Sequence, residues 1–262
     1  MLRVWGGAAA ILFAVAFTIP TTLYDKFTNF FSSREIQIAE LQDKSRAAVA
    51  AIAALRMEEA DHFRTSPNPQ DANLVQSNYD YRIYNLTISN IDLFKRAAEH
   101  LQSNDLYGIG STLSLAGEFD LANSFYEMAL AGAKSEKVFQ KSAPTIFREM
   151  GTNNAQKGDI NRARYAFGEA LKILATQSKP GDMSMARDLF IRDKSELASA
   201  EVHKGNLLCG LHMANNILPE MQRFLAAGDR VMRQMIPALQ KDILENGAAS
   251  QSKASDCFAT PD

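Results

Sequence analysis

The chain has 262 residues, 46% of them hydrophobic, and a formal net charge of −2. It can therefore hold one or two domains with a sizeable core, and it has no excess of basic charge for nucleic-acid binding. Two cysteines are too few for a disulfide framework or a paired-cysteine metal site, and the dominance of Ala, Leu, Glu, Lys and Arg over β-branched alternation predicts an all-α protein.

The first predicted element is an apolar segment near the N-terminus. After a short head of residues 1–3, the segment from Val4 to Tyr24 contains no charged residue. About 20 apolar residues are enough for a helix to cross the hydrocarbon core of a bilayer. Trp5 and Tyr24 lie at the two ends of the segment, where aromatic rings favour the membrane interface. We therefore predict a transmembrane signal anchor over residues 4–24.

A cleaved signal peptide is the alternative interpretation of this segment. Ala14-Val15-Ala16 forms an A-x-A cleavage pattern after a short apolar run. The charges on the two sides of the segment are nearly balanced, so the positive-inside rule does not fix the orientation. A short basic head before an apolar run resembles an export signal. We therefore expect the body of the protein outside the cytoplasm, which in a bacterium means the periplasm.

Residues 25–64 predict a long juxtamembrane helix. Apolar residues fit heptad a and d positions, and Ser45, Glu59 and His62 interrupt them. The fitting residues are Ile38, Leu41, Ala48, Ile52 and Leu55. Such a pattern over residues 33–63 could form a weak homodimer, or the helix could pack on the body or stand off the membrane as a stalk. Residues 65–73 have the Ser, Pro and Asn content of a linker.

Residues 74–246 form the predicted helical-repeat domain, in which one spacing occurs twice. Leu74 to Leu101 predicts a helix that caps the first repeat. The first copy is Leu106-x-x-Ile109-Gly110-x-x-Leu113, then Gly117-Glu118, then Ala122-x-x-x-Tyr126-x-x-Ala129. The second copy is Phe147-x-x-Met150-Gly151-x-x-Asn154, then Gly158-Asp159, then Ala163-x-x-x-Phe167-x-x-Ala170.

Each copy predicts two helices joined by a tight turn. Gly151 places no side chain on the apolar face of the first helix, so a second helix can approach closely. Gly158 suits a left-handed stop for the first helix, and Asp159 an N-cap for the second. The copies are 41 residues apart, from Ala122 to Ala163, so we expect the additional turns to fall within residues 134–143.

A third copy is weaker. Its matching residues are Gly205-Asn206 at the turn, Gly210 at the small position and Ala214 at the aromatic position. Its first helix, Arg187–Lys204, has Ala198 where glycine is expected. Pro219 is then predicted to start a last helix that runs through Leu244 and that Pro237 bends. The composition of residues 247–262 predicts a disordered tail.

The repeated spacing resembles the tetratricopeptide repeat, in which a large residue, a Leu-Gly pair and an aromatic residue precede an Ala-x-x-x-Phe helix. The resemblance implies an α-solenoid of two to three antiparallel helix pairs with capping helices. An unrelated array of helical hairpins is the alternative. The family places its ligand in a concave groove lined by the first helices. Carried over to this chain, the groove residues are Tyr107, Ser111, Ser114, Arg148, Thr152 and Gln156.

No recognised catalytic, metal or cofactor motif supports an enzyme. His203 and His212 are nine residues apart, which is not the spacing of a helical zinc pair. Gly108-Ile109-Gly110 has no third glycine and no preceding strand, as a nucleotide loop would require. Cys209 is expected to be a buried, unreactive thiol. We therefore predict neither a metal nor a cofactor.

These features favour a membrane-tethered interaction scaffold that binds a partner peptide or helix in the concave groove. Arg148 is the one charged groove residue, while Arg164 on the second helix is expected to lie on the outer surface and to matter little. The alternatives are a structural, self-associating component of a membrane assembly and an enzyme that uses scattered carboxylates.

Overall fold

The computed structural model describes the backbone of residues 5–65, 69–204 and 206–246, and the side chains of residues 35–65, 74–204, 206 and 208–241. The regular elements of these residues are all helical, which confirms the all-α prediction for the part of the chain described. They are α1 (Trp5–Thr65), α2 (Pro69–Ser89), α3 (Ile91–Ala97), a 3-10 turn (Ala98–His100), α4 (Ser103–Leu115), α5 (Phe119–Ser135), α6 (Phe139–Lys157), α7 (Ile160–Gln177), α8 (Met185–His203), α9 (Leu207–Ala226) and α10 (Met232–Asn246).

Consecutive helices pack as pairs, and the pairs pack in chain order. Helix α4 packs against α5, α6 against α7, and α8 against α9. Between pairs, α5 contacts α6 and α7 contacts α8. Helix α6 also contacts both α4 and α8, so the first helices of the three pairs are neighbours. Helix α10 closes the end of the array against α8 and α9.

The predicted turn at Gly158-Asp159 is confirmed. Gly158 has a φ of 86°, in the left-handed region that favours glycine. The Asp159 amide donates to the Asn154 carbonyl over 2.8 Å, which closes the end of α6 in a Schellman-type turn. The Asp159 side chain then accepts from the amide of Arg162 over 3.1 Å and caps the start of α7.

The predicted close approach of each helix pair is also confirmed. A Cβ atom placed on Gly110 would lie 2.7 Å from the ring of Tyr126, and one on Gly151 would lie 2.7 Å from the ring of Phe167. Real Cβ atoms do not occupy such distances, because the atoms would overlap. The two aromatic rings therefore lie directly over glycines of the facing helix.

The third pair reverses this arrangement. The backbone comes close at Gly210 of α9, where an added Cβ would lie 2.8 Å from the Ala198 carbonyl oxygen of α8. Gly210 and Ala198 each follow their equivalents in the second copy, Ala163 and Gly151, by 47 residues. The glycine at the crossing therefore lies on the second helix of this pair, whereas it lies on the first helix of the other two pairs.

The helix predicted from Leu74 to Leu101 is interrupted, which corrects that prediction. Helix α2 ends at Ser89 and α3 begins at Ile91. The side-chain amide of Asn90 donates to the carbonyl of Leu86 over 2.8 Å. A short polar side chain that bonds to nearby backbone groups competes with the helical ladder, and here it allows the break.

The predicted start of the last helix at Pro219 is wrong. Pro219 lies inside α9, and the break comes later, at Gly228, whose φ is 94°. The Asp229 carboxylate then accepts from the amides of Val231, over 2.8 Å, and Met232, over 3.1 Å, and caps α10. The boundary is thus another glycine followed by an acidic residue. Pro237 does lie within α10, as predicted.

Helix α6 accommodates the longer second repeat. It has 19 residues against 13 in α4, and its added turns begin at Phe139, within the predicted segment. Pro144 lies inside these turns and cannot donate to the carbonyl of Gln140. The side-chain amide of Gln177 on α7 donates to that carbonyl over 2.8 Å, so the proline leaves no unpaired group there.

The last part of α1 packs on the body, as one of the predicted alternatives had it. Leu41, Ala48 and Ile52 are partly buried against the core formed by α3 to α6. Ser45, which interrupts the heptads, is fully buried, and Arg56 pairs with Asp80 of α2 over 3.2 Å. Several of the heptad residues are therefore used within the molecule. A homodimer through residues 33–63 stays a prediction.

Within the residues that the structure describes, no helix carries an apolar stretch long enough to cross a membrane. The segment proposed as the anchor, residues 4–24, lies outside the residues whose side chains are described, as does most of the linker predicted over residues 65–73. The tail of residues 247–262 lies outside the described residues altogether. The anchor and the cleaved signal peptide both stay predictions.

Gly151→Ala should destabilise the protein by about 1–3 kcal/mol, because its Cβ would overlap the Phe167 ring. Gly108→Ala is the matched control, since a Cβ there meets no atom within 4 Å, and the change should stabilise α4 slightly through helix propensity. Urea unfolding followed by circular dichroism measures both. Equal stability of the two variants would contradict the crossing of α6 and α7.

Candidate binding cleft

A cleft of about 780 Å³ lies between α6, α8 and the start of α10, and we call it the α6–α8 cleft. Its lining residues come from three places: Arg148, Glu149, Thr152, Ala155 and Gln156 on α6; Arg192, Glu196, Ser199, Ala200, His203 and Lys204 on or just after α8; and Val231 and Met235 at α10, with Phe167 beneath. The first helices of the second and third pairs therefore form its two long walls.

Three of the six predicted groove residues line this cleft. Arg148, Thr152 and Gln156 follow one another at four-residue intervals and therefore share a face of α6. The groove residues predicted from the repeat resemblance include none on α8. Adding the 47-residue offset to Thr152 and Gln156 gives Ser199 and His203, which do line the cleft.

The other three predicted residues lie on α4, outside the lining of the cleft. Tyr107 packs on Tyr126, with ring centroids 5.7 Å apart. The Ser114 hydroxyl donates to the side-chain oxygen of Asn153 over 2.6 Å, and so ties α4 to α6. Ser111 is half-buried beside the hydroxyl of Tyr126. Tyr107 therefore packs within the body of the protein, and Ser114 forms a hydrogen bond within it.

Arg148 is held by carboxylates of this protein. It is 17% exposed and donates to Glu149 over 3.2 Å, and its other terminal nitrogen lies 3.9 Å from a carboxylate oxygen of Asp193. Burial alone would lower the pKa of Arg148, but Asp193, Glu196 and Glu149 raise it. The guanidinium is therefore permanently charged and already partly neutralised.

Asp193 is the least satisfied group near the cleft. Its side chain is 1% exposed, and neither of its oxygens has a hydrogen-bond partner. Burial raises its pKa well above that of an ordinary aspartate, although Arg148 opposes the shift. Glu196, one turn further along α8, accepts from the Thr152 hydroxyl over 2.9 Å, and burial raises its pKa as well.

A cluster of charged side chains lies at the Arg148 end of the cleft. Arg192, the second guanidinium here, pairs with Asp188 over 2.7 Å and lies 3.5 Å from Asp229. Two guanidiniums thus lie near the following five carboxylates, of which only the first two line the cleft: Glu149, Glu196, Asp188, Asp193 and Asp229. His203 and Lys204 lie about 16 Å further along α8.

Arg164 does not lie free on the outer surface, which corrects the expectation for this residue. It pairs in a two-pronged contact with Glu201 of α8, one prong of which spans 2.7 Å. Glu201 is 1% exposed and also accepts from the Asn206 side-chain amide over 2.8 Å. The pair joins the second helix of one repeat to the first helix of the next.

Cys209 is disulfide-bonded and is not the unreactive thiol that we expected. Its neighbours in the sequence gave no sign of this, and the chain's other cysteine, Cys257, lies in the tail outside the described residues. Among the described residues, no group of three or more His, Cys, Asp or Glu side chains is placed to hold a metal ion.

No protein-family model matches the chain, and comparison with curated proteins finds no relative.

Arg164→Ala should destabilise the protein by about 3 kcal/mol, because it leaves Glu201 buried without its charged partner. Arg162→Ala, on the same helix, is the matched control, since that side chain is 73% exposed and its loss should cost well under about 1 kcal/mol. Chemical unfolding measures both changes. Equal effects would contradict a structural role for Arg164.

Asp193 should make stability depend on pH. Its folded pKa is raised, so the folded state keeps a proton that the unfolded chain has lost. Stability then falls as pH rises from the ordinary aspartate range through the raised pKa. Asp193→Asn should remove this part of the slope and leave the variant more stable than the wild type above that range. Unfolding free energies at a series of pH values test this, and parallel profiles would contradict it.

Proposed function

We propose that this chain is a membrane-tethered interaction scaffold that binds a peptide or helix of a partner protein in the α6–α8 cleft. The observation that carries the proposal is the convergence of two first helices on one charged, solvent-open cleft. Arg148, Thr152 and Gln156 were nominated from the sequence as ligand-facing residues, and they lie together in its wall. A cleft of this kind suits an extended segment better than a small globular partner.

The order of packing supports a tetratricopeptide-like solenoid of three helix pairs. In such an array each pair contacts only its neighbours, and the first helices line the concave side. Here the first helices α4, α6 and α8 are in contact in that order. A glycine lies at the crossing of each pair, at Gly110, Gly151 and Gly210. Helices α2 and α3 on one side and α10 on the other are the proposed caps.

Two features support placement of the body outside the cytoplasm. The first is the apolar segment of residues 4–24, which reads as an anchor or an export signal. The second is the disulfide at Cys209, because disulfides persist in oxidising compartments. In a bacterium this compartment is the periplasm. Helix α1 runs without a break from Trp5 to Thr65, which would couple the body directly to the anchor.

Self-association in a membrane assembly is the second candidate. Ile36 and Met57 of α1 are 67% and 71% exposed. Large apolar side chains left in solvent on a helix can mark a contact surface. The heptad residues Leu41, Ala48 and Ile52, in contrast, are partly buried against the body. The contact would therefore use the outer face of α1.

Site-specific photo-crosslinking in intact membranes tests the proposal. A benzoylphenylalanine in place of Gln156, which is exposed in the cleft, should form an adduct with a partner protein. The same replacement of Tyr165, which is 62% exposed on α7, is the matched control and should form much less. Mass spectrometry identifies each adduct. Equal adducts at both positions, or none at Gln156, would remove the cleft as the binding site, and an adduct with a second copy of the chain would favour self-association.

A further inference from the structure

We propose that the bound partner segment extends from the α6–α8 cleft to a second pocket, between α2 and α4, and buries a large apolar side chain there. We call this second site the α2–α4 pocket. The inference rests on the proposed function, in which the cleft binds a polypeptide. It adds a second contact site on the body and the chemistry of the partner residue that this site receives.

The α2–α4 pocket has a volume of about 370 Å³. Its lining residues are Arg56 on α1; Asp80, Tyr81 and Tyr84 on α2; and Thr112, Leu115 and Ala116 at the C-terminal end of α4. Leu115 is 71% exposed and Tyr81 is 68% exposed. Single apolar side chains in solvent are common on protein surfaces, but these two line the same pocket. An apolar group that covered them would remove their surface from water, which favours association.

The repeat spacing places this pocket on the same side of the array as the cleft. Leu115 and Gln156 are 41 residues apart, which is the offset between the first two repeats. They therefore hold equivalent positions on α4 and α6. Gln156 is exposed in the wall of the cleft, and equivalent residues of successive first helices lie on one side of a stacked array. Leu115 thus lies on the side of the array that carries the cleft.

The distance between the two sites is short enough for one extended segment. Helix α4 contacts both α2 and α6, and α6 also contacts α8. The pocket lies between the first two of these four helices and the cleft between the last two. The axes of packed helices are about 8–10 Å apart, and an extended chain covers about 3.3 Å per residue. A segment that passes Gln156 therefore reaches Leu115 within about three further residues.

The charged groups of the α2–α4 pocket are paired within the protein. Arg56 donates to Asp80 over 3.2 Å and to Glu59 over 3.3 Å. The Tyr84 hydroxyl donates to Glu118 over 3.3 Å. An ionised side chain that entered the pocket would lose hydration and compete with these bonds, whereas an apolar side chain does neither. The chemistry of the pocket therefore favours an apolar side chain.

The test is a selection of random dodecapeptides displayed on phage, performed on the full-length protein in detergent micelles. Selected sequences should share a large apolar residue at a fixed position. A synthetic peptide from the selection should lose affinity about tenfold or more when this residue is replaced by serine, or when the protein carries Leu115→Ser. Leu115 is mostly in solvent, so the fold is retained in this variant. Fluorescence anisotropy of the labelled peptide measures the affinity.

Met185→Ser is the matched control, because it also removes an exposed apolar side chain. Met185 is 80% exposed at the start of α8 and lines neither the cleft nor the α2–α4 pocket. This variant should bind the peptide as tightly as the wild type. Equal losses in Met185→Ser and Leu115→Ser would overturn the inference, since the effect would then not belong to the pocket.

Gln156→Trp, which fills the cleft, separates the two levels of the proposal. Peptides that lose binding in Gln156→Trp but bind Leu115→Ser as tightly as the wild type would overturn this inference and leave the proposed function standing. Peptides that lose binding in Gln156→Trp but share no large apolar residue would do the same. Peptides that bind equally well to Gln156→Trp, or a selection that enriches no sequence, would overturn both.

Discussion

The absence of a Cβ atom at one position in each helix pair determines the rest of the structure. At Gly110 and Gly151 an aromatic ring of the facing helix occupies the space that a side chain would fill, and at Gly210 the Val202 side chain and the backbone of α8 do so. Helices that approach this closely are fixed in register, because any slide places a side chain at the crossing. Fixed pairs then stack, and stacking brings α6 beside α8, where the cleft lies.

The turns and crossings could be predicted from the sequence because their causes are local. A glycine that must be left-handed and the acidic cap that follows it are adjacent residues, as at Gly158-Asp159. The same pair of residues at Gly228-Asp229 precedes the start of α10, whereas the prediction from Pro219 placed that start too early. Proline only forbids one hydrogen bond, and Pro219 and Pro144 are both accommodated inside helices. A local sequence pattern therefore predicts a helix boundary best where it requires one backbone conformation, and least well where it only excludes a hydrogen bond.

The cleft could be predicted on one wall only. Its α6 residues follow from the resemblance, whereas its α8 residues depend on a third repeat whose glycine has changed helix. Charge pairing was beyond prediction, because the partners are far apart in sequence: Arg148 and Asp193 are 45 residues apart, and Arg164 and Glu201 are 37 apart. An arginine in a buried pair and an arginine in solvent look the same in a sequence. The sequence around Cys209 likewise gives no sign of its disulfide.

The packing of α1 on one end of the array and of α10 on the other has a consequence for assembly. Stacked helix pairs present the same kind of apolar face at both ends, so an uncovered array can add further copies head to tail without limit. Helix α1 packs Leu41, Ala48 and Ile52 against the first core cluster, and α10 contributes Met232, Ile236 and Leu239 to the second. A helix outside the three pairs therefore covers each core cluster, and such cover disfavours head-to-tail addition of further copies.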